Sequence, residues 1–528
     1  MEFAIHQSLK TYSGGLGFLA GSHMRSAYEL KQNMIGIGML WKYGYYDQVR
    51  TEDNTMKVLF RKKYYNFLED SGIMVPVYVN NHQIYVKALY LRPEVFNTIP
   101  MYFLTTDIDE NDHLAQTITH RLYDSNTATR IAQNLVLGVG GAKVVDALGG
   151  ADIYHMNEGH ALPLTFHLYQ KFGHDLNEVK KRVCFTTHTP EKAGNEEHNI
   201  YQLHQMGFFS NLPLEEVRQI TGIDTDSFSH SLAALRLCKI ANGVSELHGK
   251  VSRDMWGENS GIAKIIHITN AQNKTYWADK QLAGNLASGD DEALFHRKKH
   301  LKKRLFETVA DQTGKIFDKD VLTIVWARRF AEYKRADLIK RDIMRFNRLI
   351  NNDKYPVQII WAGKPYPFDY NAISRFDHLV TSSYKTKNTA VLVGYELALS
   401  MLLKQGADIW LNTPRRPREA SGTSGMTAAM NGAINFSISD GWVPEFAEHG
   451  KNAFIIPPTD PTLPIDQQDT NDYENLMGIL ENEILPLYYD RPKEWEKLVK
   501  RSMLEVTPRF DSNRMADEYY ELMYDYHE

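Results

Sequence analysis

Arg415-Arg416-Pro417-Arg418-Glu419-Ala420-Ser421-Gly422-Thr423-Ser424-Gly425-Met426-Thr427-Ala428-Ala429-Met430-Asn431-Gly432 reads as a glycine-rich loop running into a helix. Gly422 and Gly425 lack a Cβ and let the backbone come close to a ligand. The free N–H groups and positive end of the helix suit an anionic or hydroxyl-rich ligand. Glu419, just before the loop, is an acceptor for sugar hydroxyls. The plain alternative is an ordinary loop-to-helix turn, so the flanking sequence must decide.

Upstream and downstream lie short apolar runs, each followed by a helical pattern. Val321 to Trp326, Ile359 to Ala362, Val391 to Val393 and Ala407 to Leu411 alternate with helices, as in an α/β fold with a parallel sheet. The first half repeats this design. Asp152 to Tyr154 and Val183 to Thr186 are strands that end in polar clusters, His155-Met156-Asn157-Glu158-Gly159-His160 and Thr187-His188-Thr189-Pro190. In open α/β sheets ligands sit beyond such strand ends. His155, His160 and His188 raise a metal site, but no carboxylate or cysteine completes a tight ligand set. Gly14-Gly15-Leu16-Gly17 precedes a helix and offers a second backbone anion cradle. Val75 to Val79 and Ile84 to Val86, joined by the turn signal Asn80-Asn81-His82, predict antiparallel strands inserted in the first domain. Thr127 to Leu148 predicts a helix whose glycines permit close packing. Residues 288–312, rich in Arg297-Lys298-Lys299 and Lys302-Lys303-Arg304, predict a solvated linking helix.

The 528 residues exceed one core, and two domains of roughly 200 to 280 residues fit the size range. A net charge of −5 without a long basic run argues against nucleic acid or an anionic membrane surface as main partner. Cys184 and Cys238 are too few for a disulfide framework, so a reducing cytoplasm is expected. No apolar run nears the roughly 20 residues of a membrane span, and no signal peptide is read before Met1.

Glu419-Ala420-Ser421-Gly422-Thr423-Ser424-Gly425-Met426 resembles the signature of the α-glucan (glycogen, starch, maltodextrin) phosphorylases in their short bacterial form. Further likenesses run from about residue 2 to 526: the Gly-Gly-Leu-Gly stretch, Ala241 to Ser252, Ile268-Thr269-Asn270 with Trp277, Arg328 to Arg335, and Asn435 to Trp442. The resemblance implies a GT-B fold, two Rossmann-like domains facing across a cleft. The expected boundaries are 1–285 for the acceptor-side domain and 286–317 for linker helices. Residues 318–495 would form the phosphate-side domain and 496–528 a helix crossing back. In the family Met1-Glu2-Phe3 follows an apolar first strand; without it, either the start is trimmed or the sheet begins differently.

The resemblance also implies site roles. His188 matches a histidine contacting the donor sugar near its 6-hydroxyl, and Asn270 a sugar-binding amide. Arg329 and Lys334 match the pair that holds the substrate phosphate, a bidentate fork and a point charge. His188, Arg329 and Lys334 are therefore the catalytic candidates. Tyr395 matches a tyrosine beside the cofactor phosphate, and Gly14, Gly15, Glu419, Ser421, Gly422 and Thr423 join the substrate-binding set. Two places depart from the pattern: Ala271-Gln272-Asn273 stands where the family has glycine and a small apolar residue, and the second concerns the cofactor. After the methionine the family carries the lysine that forms a Schiff base with pyridoxal phosphate; here it is Thr427.

Threonine cannot make an imine, so no covalently bound cofactor is expected. The first reading is a retaining hexosyltransferase, α-glucosyl by resemblance, using a nucleotide-activated sugar and a glucan or other saccharide acceptor. The second is an α-glucan phosphorylase holding pyridoxal phosphate noncovalently. The third is a catalytically silent glucan-binding protein. Family members are commonly dimers, so a homodimer is an expectation of the same resemblance.

Overall fold

The computed structural model describes residues 1–526, which divide into two compact units. The first comprises Met1–Tyr45, Phe60–Asn270 and the segment from Met515 on; the second comprises Tyr46–Leu59 and Ala271–Arg514. Residues 286–317, expected as linker helices, therefore count with the second unit, and so does 271–285. The chain is α/β with parallel sheets.

In the first unit, helix α1 (Gly15–Glu29) leads to strand β1 (Gly36–Met39). The hairpin β2 (Glu69–Val79) and β3 (His82–Leu91) follows, then β4 (Met101–Thr105). Asn80 and Asn81, both at positive φ, make the predicted turn. The two strands pair antiparallel within the first unit, β3 pairs in turn with β4, and the sheet runs β1-β4-β3-β2. A second, all-parallel sheet contains β5 (Tyr154–Asn157), β6 (Val183–Thr186), β7 (Ile240–Gly243) and β8 (Lys264–His267), in the order β8-β7-β6-β5. The helix expected over Thr127 to Leu148 is helical throughout, with a π-turn segment at Val136–Gly140. A Cβ on Gly138 would lie 2.9 Å from the carbonyl oxygen of Ala161, which explains the small residue.

The second unit is built on β9 (Leu322–Ala327), β10 (Val357–Ala362), β11 (Thr389–Leu392), β12 (Ile409–Asn412), β13 (Ile434–Ile438) and β14 (Phe454–Ile456). All run parallel in the order β11-β10-β9-β12-β13-β14. This is the doubly wound order, whose direction reverses between β9 and β12, where such sheets bind ligands. The strands are buried on both faces, in keeping with their largely apolar sequences. Helix α2 (Asp291–Thr313), α3 (Leu397–Gly406) and α4 (Ser424–Met430) pack around the sheet.

Helix α2 corrects the solvated-helix expectation in part: Lys299, Lys303 and Arg304 are exposed as expected, but one face is not solvated. Lys298 and Lys302 are buried. Lys302 Nζ lies 2.6 Å from an Asp408 carboxylate oxygen and 2.9 Å from the Val321 carbonyl. Lys298 Nζ donates to the carbonyls of Gln405 and Asn431. Long lysine stems cross an apolar face and deliver their heads to acceptors beyond it; a charge count along the sequence does not reveal this.

Candidate active site

In the second unit the loop after β9 and the loop after β12 meet at the switch point. Lys334 Nζ donates to both carboxylate oxygens of Glu419, at 3.0 and 2.8 Å, and both side chains are mostly buried. Burial opposes ionisation of Glu419, but Lys334 and the two neighbouring arginines outweigh it and hold the carboxyl below its ordinary range. Arg329 is exposed, with its charge acting on Glu419. The two phosphate candidates therefore differ: Lys334 is buried and paired, Arg329 is solvent-facing.

Two residues join this cluster that sequence reasoning missed. Arg328 is buried, donates through Nη2 to the Leu411 carbonyl at 2.7 Å, and its Nε has no hydrogen-bond partner. Only its adjacency to Arg329 hinted at it. Asp440 is buried and accepts from the backbone N–H of Glu419 and of Gly441, both at 2.9 Å. Burial, with the Glu419 carboxylate nearby, pushes its pKa up to about 7 against those two hydrogen bonds.

The sign follows directly. The native carboxyl titrates above its ordinary value of 3.8, so between the two values the native state binds the extra proton. The contribution is fully present at acid pH and is lost as pH rises through about 7. Asp440→Asn is expected to gain stability relative to the parent by about 2 kcal/mol between about pH 5 and about pH 8, read by urea unfolding at each pH. A pH-independent difference would refute a neutral Asp440.

The glycine-rich loop is held from below. Ser421 O accepts from Trp442 N at 2.9 Å, and the Ser421 hydroxyl is buried without a partner. Gly422 has φ +83°, a conformation that favours glycine, and a Cβ there would meet the Glu419 side chain. Gly425 serves packing instead of a ligand: its Cβ would fall 2.3 Å from Asn435 Oδ1. Thr423 precedes α4 and forms no side-chain cap. Tyr395 is buried after β11, its hydroxyl 3.3 Å from the Ala327 carbonyl.

Thr427 is fully buried, and its hydroxyl donates to Ser424 O within its own helix. Helix α4 carries no amine. Asn431 ties this helix down by donating to Thr427 O and Trp277 O. Lys404 of α3 places its Nζ 3.7 Å from the centre of the Trp277 ring. An aldehyde cofactor anchored by an imine does not fit the residues at position 427.

In the first unit the candidates lie beyond the carboxyl ends of the parallel strands. His188, after β6, approaches Asn157 Oδ1 at 2.6 Å through Nε2. The amide oxygen only accepts, so Nε2 carries the proton and Nδ1 is left as an acceptor. Burial pushes the His188 pKa down to about 3, so the ring is neutral at physiological pH and serves as a hydrogen-bonding group. Glu158 fixes this turn, accepting from His188 N and from the Thr189 hydroxyl. Asn270, after β8, is buried with its side-chain oxygen unpartnered. Gly14 donates its N–H to Glu2 Oε2 at 3.2 Å, and Gly15 opens α1. A Cβ on either glycine would meet nothing within 4 Å, so the space before α1 is open. His155 is not at an open site: it contacts Tyr524 Oη and Thr186 Oγ1, each at 2.7 Å.

Glu158 has φ 67° and ψ 172°, a region adopted almost only by glycine, and such strain clusters at functional sites. Glu158→Gly and Glu158→Ala lose the same carboxylate and differ in backbone tolerance. The glycine variant is expected to be more stable by about 1–3 kcal/mol in urea unfolding. Equal stabilities would mean that the position is unstrained.

Comparison with known proteins decides the family. A family model described as carbohydrate phosphorylase matches residues 226–461. The chain is 32% identical over 585 residues to a maltodextrin phosphorylase of Thermococcus litoralis, covering 99% of this chain and 70% of that one. The chain belongs to the carbohydrate phosphorylase family. Within the family, a glycogen phosphorylase of Aquifex aeolicus is 30% identical over 605 residues, covering 99% and 85% of the two chains. An uncharacterized protein of Methanocaldococcus jannaschii is 47% identical over 525 residues, covering 99% and 98%. In this chain Lys334 contacts Glu419, and residue 427 is a threonine.

Proposed function

We propose that this protein is a retaining α-glucosyltransferase that works without covalently bound pyridoxal phosphate and takes its sugar from a nucleotide-activated donor. The observation that carries the reading is the buried Lys334–Glu419 pair. A cation that needs an anion stands beside a carboxylate that can hold hydroxyls. Arriving phosphate oxygens would take over Lys334 and free Glu419 for the sugar. Arg329 and Lys334 then stabilise charge on the departing phosphate, as preorganised donors do wherever charge develops. Glu419, Ser421, Gly422 and Thr423 hold the sugar. In this reading the two units are the halves of a GT-B transferase. His188, Asn270, Gly14 and Gly15 act on the same donor and acceptor.

Calorimetric titration with a panel of nucleotide sugars, followed by transfer assays on maltooligosaccharides, tests it. Micromolar binding of one donor with transfer to the acceptor is the expected result; no binding of any nucleotide sugar sinks the reading. The second reading is an α-glucan phosphorylase, favoured by relatives that carry that name. It requires glucose 1-phosphate from maltodextrin and phosphate when pyridoxal phosphate is added.

A further inference from the structure

In the second unit the two loops that bear Lys334 and Glu419 are fastened to each other. Lys334 closes the short turn Glu332–Lys334 after β9. The next residue, Arg335, has φ +48° and ψ 60°. That is left-handed backbone, which a residue other than glycine keeps only where its surroundings hold it. The Arg335 side chain is buried and supplies the hold. Its Nε donates to the Thr413 carbonyl at 2.9 Å and its Nη2 to the Pro414 carbonyl at 3.0 Å, both on the loop after β12. The Thr413 hydroxyl lies 3.0 Å from Lys334 O and 3.1 Å from Arg335 O. Arg415 N donates to Tyr333 O at 2.8 Å.

A third element locks this joint. Helix α5 (Ile465–Ile479) carries Asp469, whose carboxylate reaches one arginine from each loop. Its Oδ1 accepts from Arg335 Nη1 at 2.8 Å and from Arg415 Nε at 3.0 Å. Its Oδ2 accepts from Arg415 Nη2 at 2.7 Å, so Arg415 is gripped by both teeth of its fork. Asp472, one turn further along α5, accepts from Arg335 Nη2 at 2.7 Å and from the Thr459 hydroxyl at 2.5 Å. Burial disfavours the charged form of Asp469, but the two arginines outweigh it and hold the carboxyl below its ordinary range.

The placement matters because Arg335 directly follows Lys334, while Arg415 lies just upstream of Glu419. Asp469 therefore grips the chain beside each member of the Lys334–Glu419 pair. Both arginines and Asp469 are mostly buried, where ion pairs hold their geometry better than exposed ones do. Asp466, on the same helix, is a natural contrast. It is 85% exposed and pairs with Arg341, well beyond Arg335.

We propose that Asp469 is a positioning residue for sugar transfer, setting the spacing of Lys334 and Glu419 by clamping Arg335 to Arg415. The proposal rests on the reading of that pair as the groups that hold the donor. Asp469 acts through the two arginines and has no bond to the reacting groups. A misplacement of about 1 Å in such a site can cost on the order of 100-fold in rate.

Three variants of the full chain test this: Asp469→Asn, Asp469→Glu and Asp466→Asn. Hydrogen exchange is followed in each, so that the order of the loops is read whether or not a donor is turned over. In Asp469→Asn the backbone N–H groups of Lys334 and Arg415 are expected to exchange on the order of tenfold faster, with β9 and β12 unchanged. Transfer by this variant should fall about 10- to 100-fold in kcat, with KM for the maltooligosaccharide within about threefold of the parent. Asp469→Glu keeps the charge and should recover most of both losses. Asp466→Asn should match the parent in both. Unchanged loop exchange in Asp469→Asn overturns the proposal, as does faster exchange with undiminished transfer. A rise shared by every amide of the second unit, or an equal loss in Asp466→Asn, would mark lost stability in place of lost positioning and overturns it as well. If the parent transfers no sugar from any donor, the proposed function falls, and the exchange comparison still decides whether Asp469 clamps the loops.

Discussion

Lys334→Ala is expected to lower glucosyl transfer by about 10²–10³-fold, the usual loss when one preorganised charge stabiliser is removed. It should also destabilise the protein by about 3–5 kcal/mol, because the mostly buried Glu419 carboxylate loses its ion-pair partner. The two effects have different origins and can be separated. Adding Glu419→Gln removes the stranded charge, so the double variant should recover most of the stability. It should recover no transfer, since the phosphate still lacks its cation. Urea unfolding and initial rates on the same preparations give both readouts. Transfer restored in the double variant would show that Lys334 merely neutralises Glu419 and holds no phosphate.

The second large effect is structural. Lys302→Met is expected to cost about 3–5 kcal/mol, because Asp408 is left buried as an uncompensated charge between α2 and β9. Asp408 would keep one donor, the Thr323 N–H at 2.9 Å. Lys302→Met combined with Asp408→Asn removes both charges and should restore at least half of the loss, since a buried ion pair is weak evidence for net stability. Thermal and urea unfolding check this. A single variant within about 0.5 kcal/mol of the parent, the range of ordinary surface changes, would mean that the pair is solvated in solution.

Much of the second unit was legible because its information is local. Its strands are largely apolar runs such as Leu322–Ala327, and the loop that bears Glu419 and Ser421 is contiguous with its helix. Asp440 was harder to see, since it reaches Glu419 from the far end of β13 and only the fold brings the two together. Arg328 was hidden for another reason. Two adjacent arginines at a strand end face opposite ways, one inward and one to solvent, and the sequence does not say which. Lys298 and Lys302 show the limit of reading charge as exposure. The hairpin was legible from the Asn80-Asn81 turn signal between two β-rich runs, whereas its pairing with Met101–Thr105 is set at long range and has no local signal. Gly425 was assigned to ligand approach when its empty side faces Asn435. A glycine marks a close approach without naming the approaching group.

The division of the chain has a consequence for its biosynthesis. The first unit includes the segment from Met515 on, and the second includes the ribbon Asp47–Arg50 with Met56–Leu59. That ribbon is tied into the second unit: Gln48 and Arg50 donate to the carbonyls of Gly363 and Val391, and Met56 N donates to Asp377. In the first unit His155 and Asn242 bond to Tyr524 and Tyr519. Synthesis runs from the amino end, and domains commonly fold in that order. Here the unit that is begun first is closed only after the whole of the second unit has been synthesised. The first unit should therefore acquire its final protease resistance only after the segment from Met515 on has been made, with neither unit obtainable by a single cut.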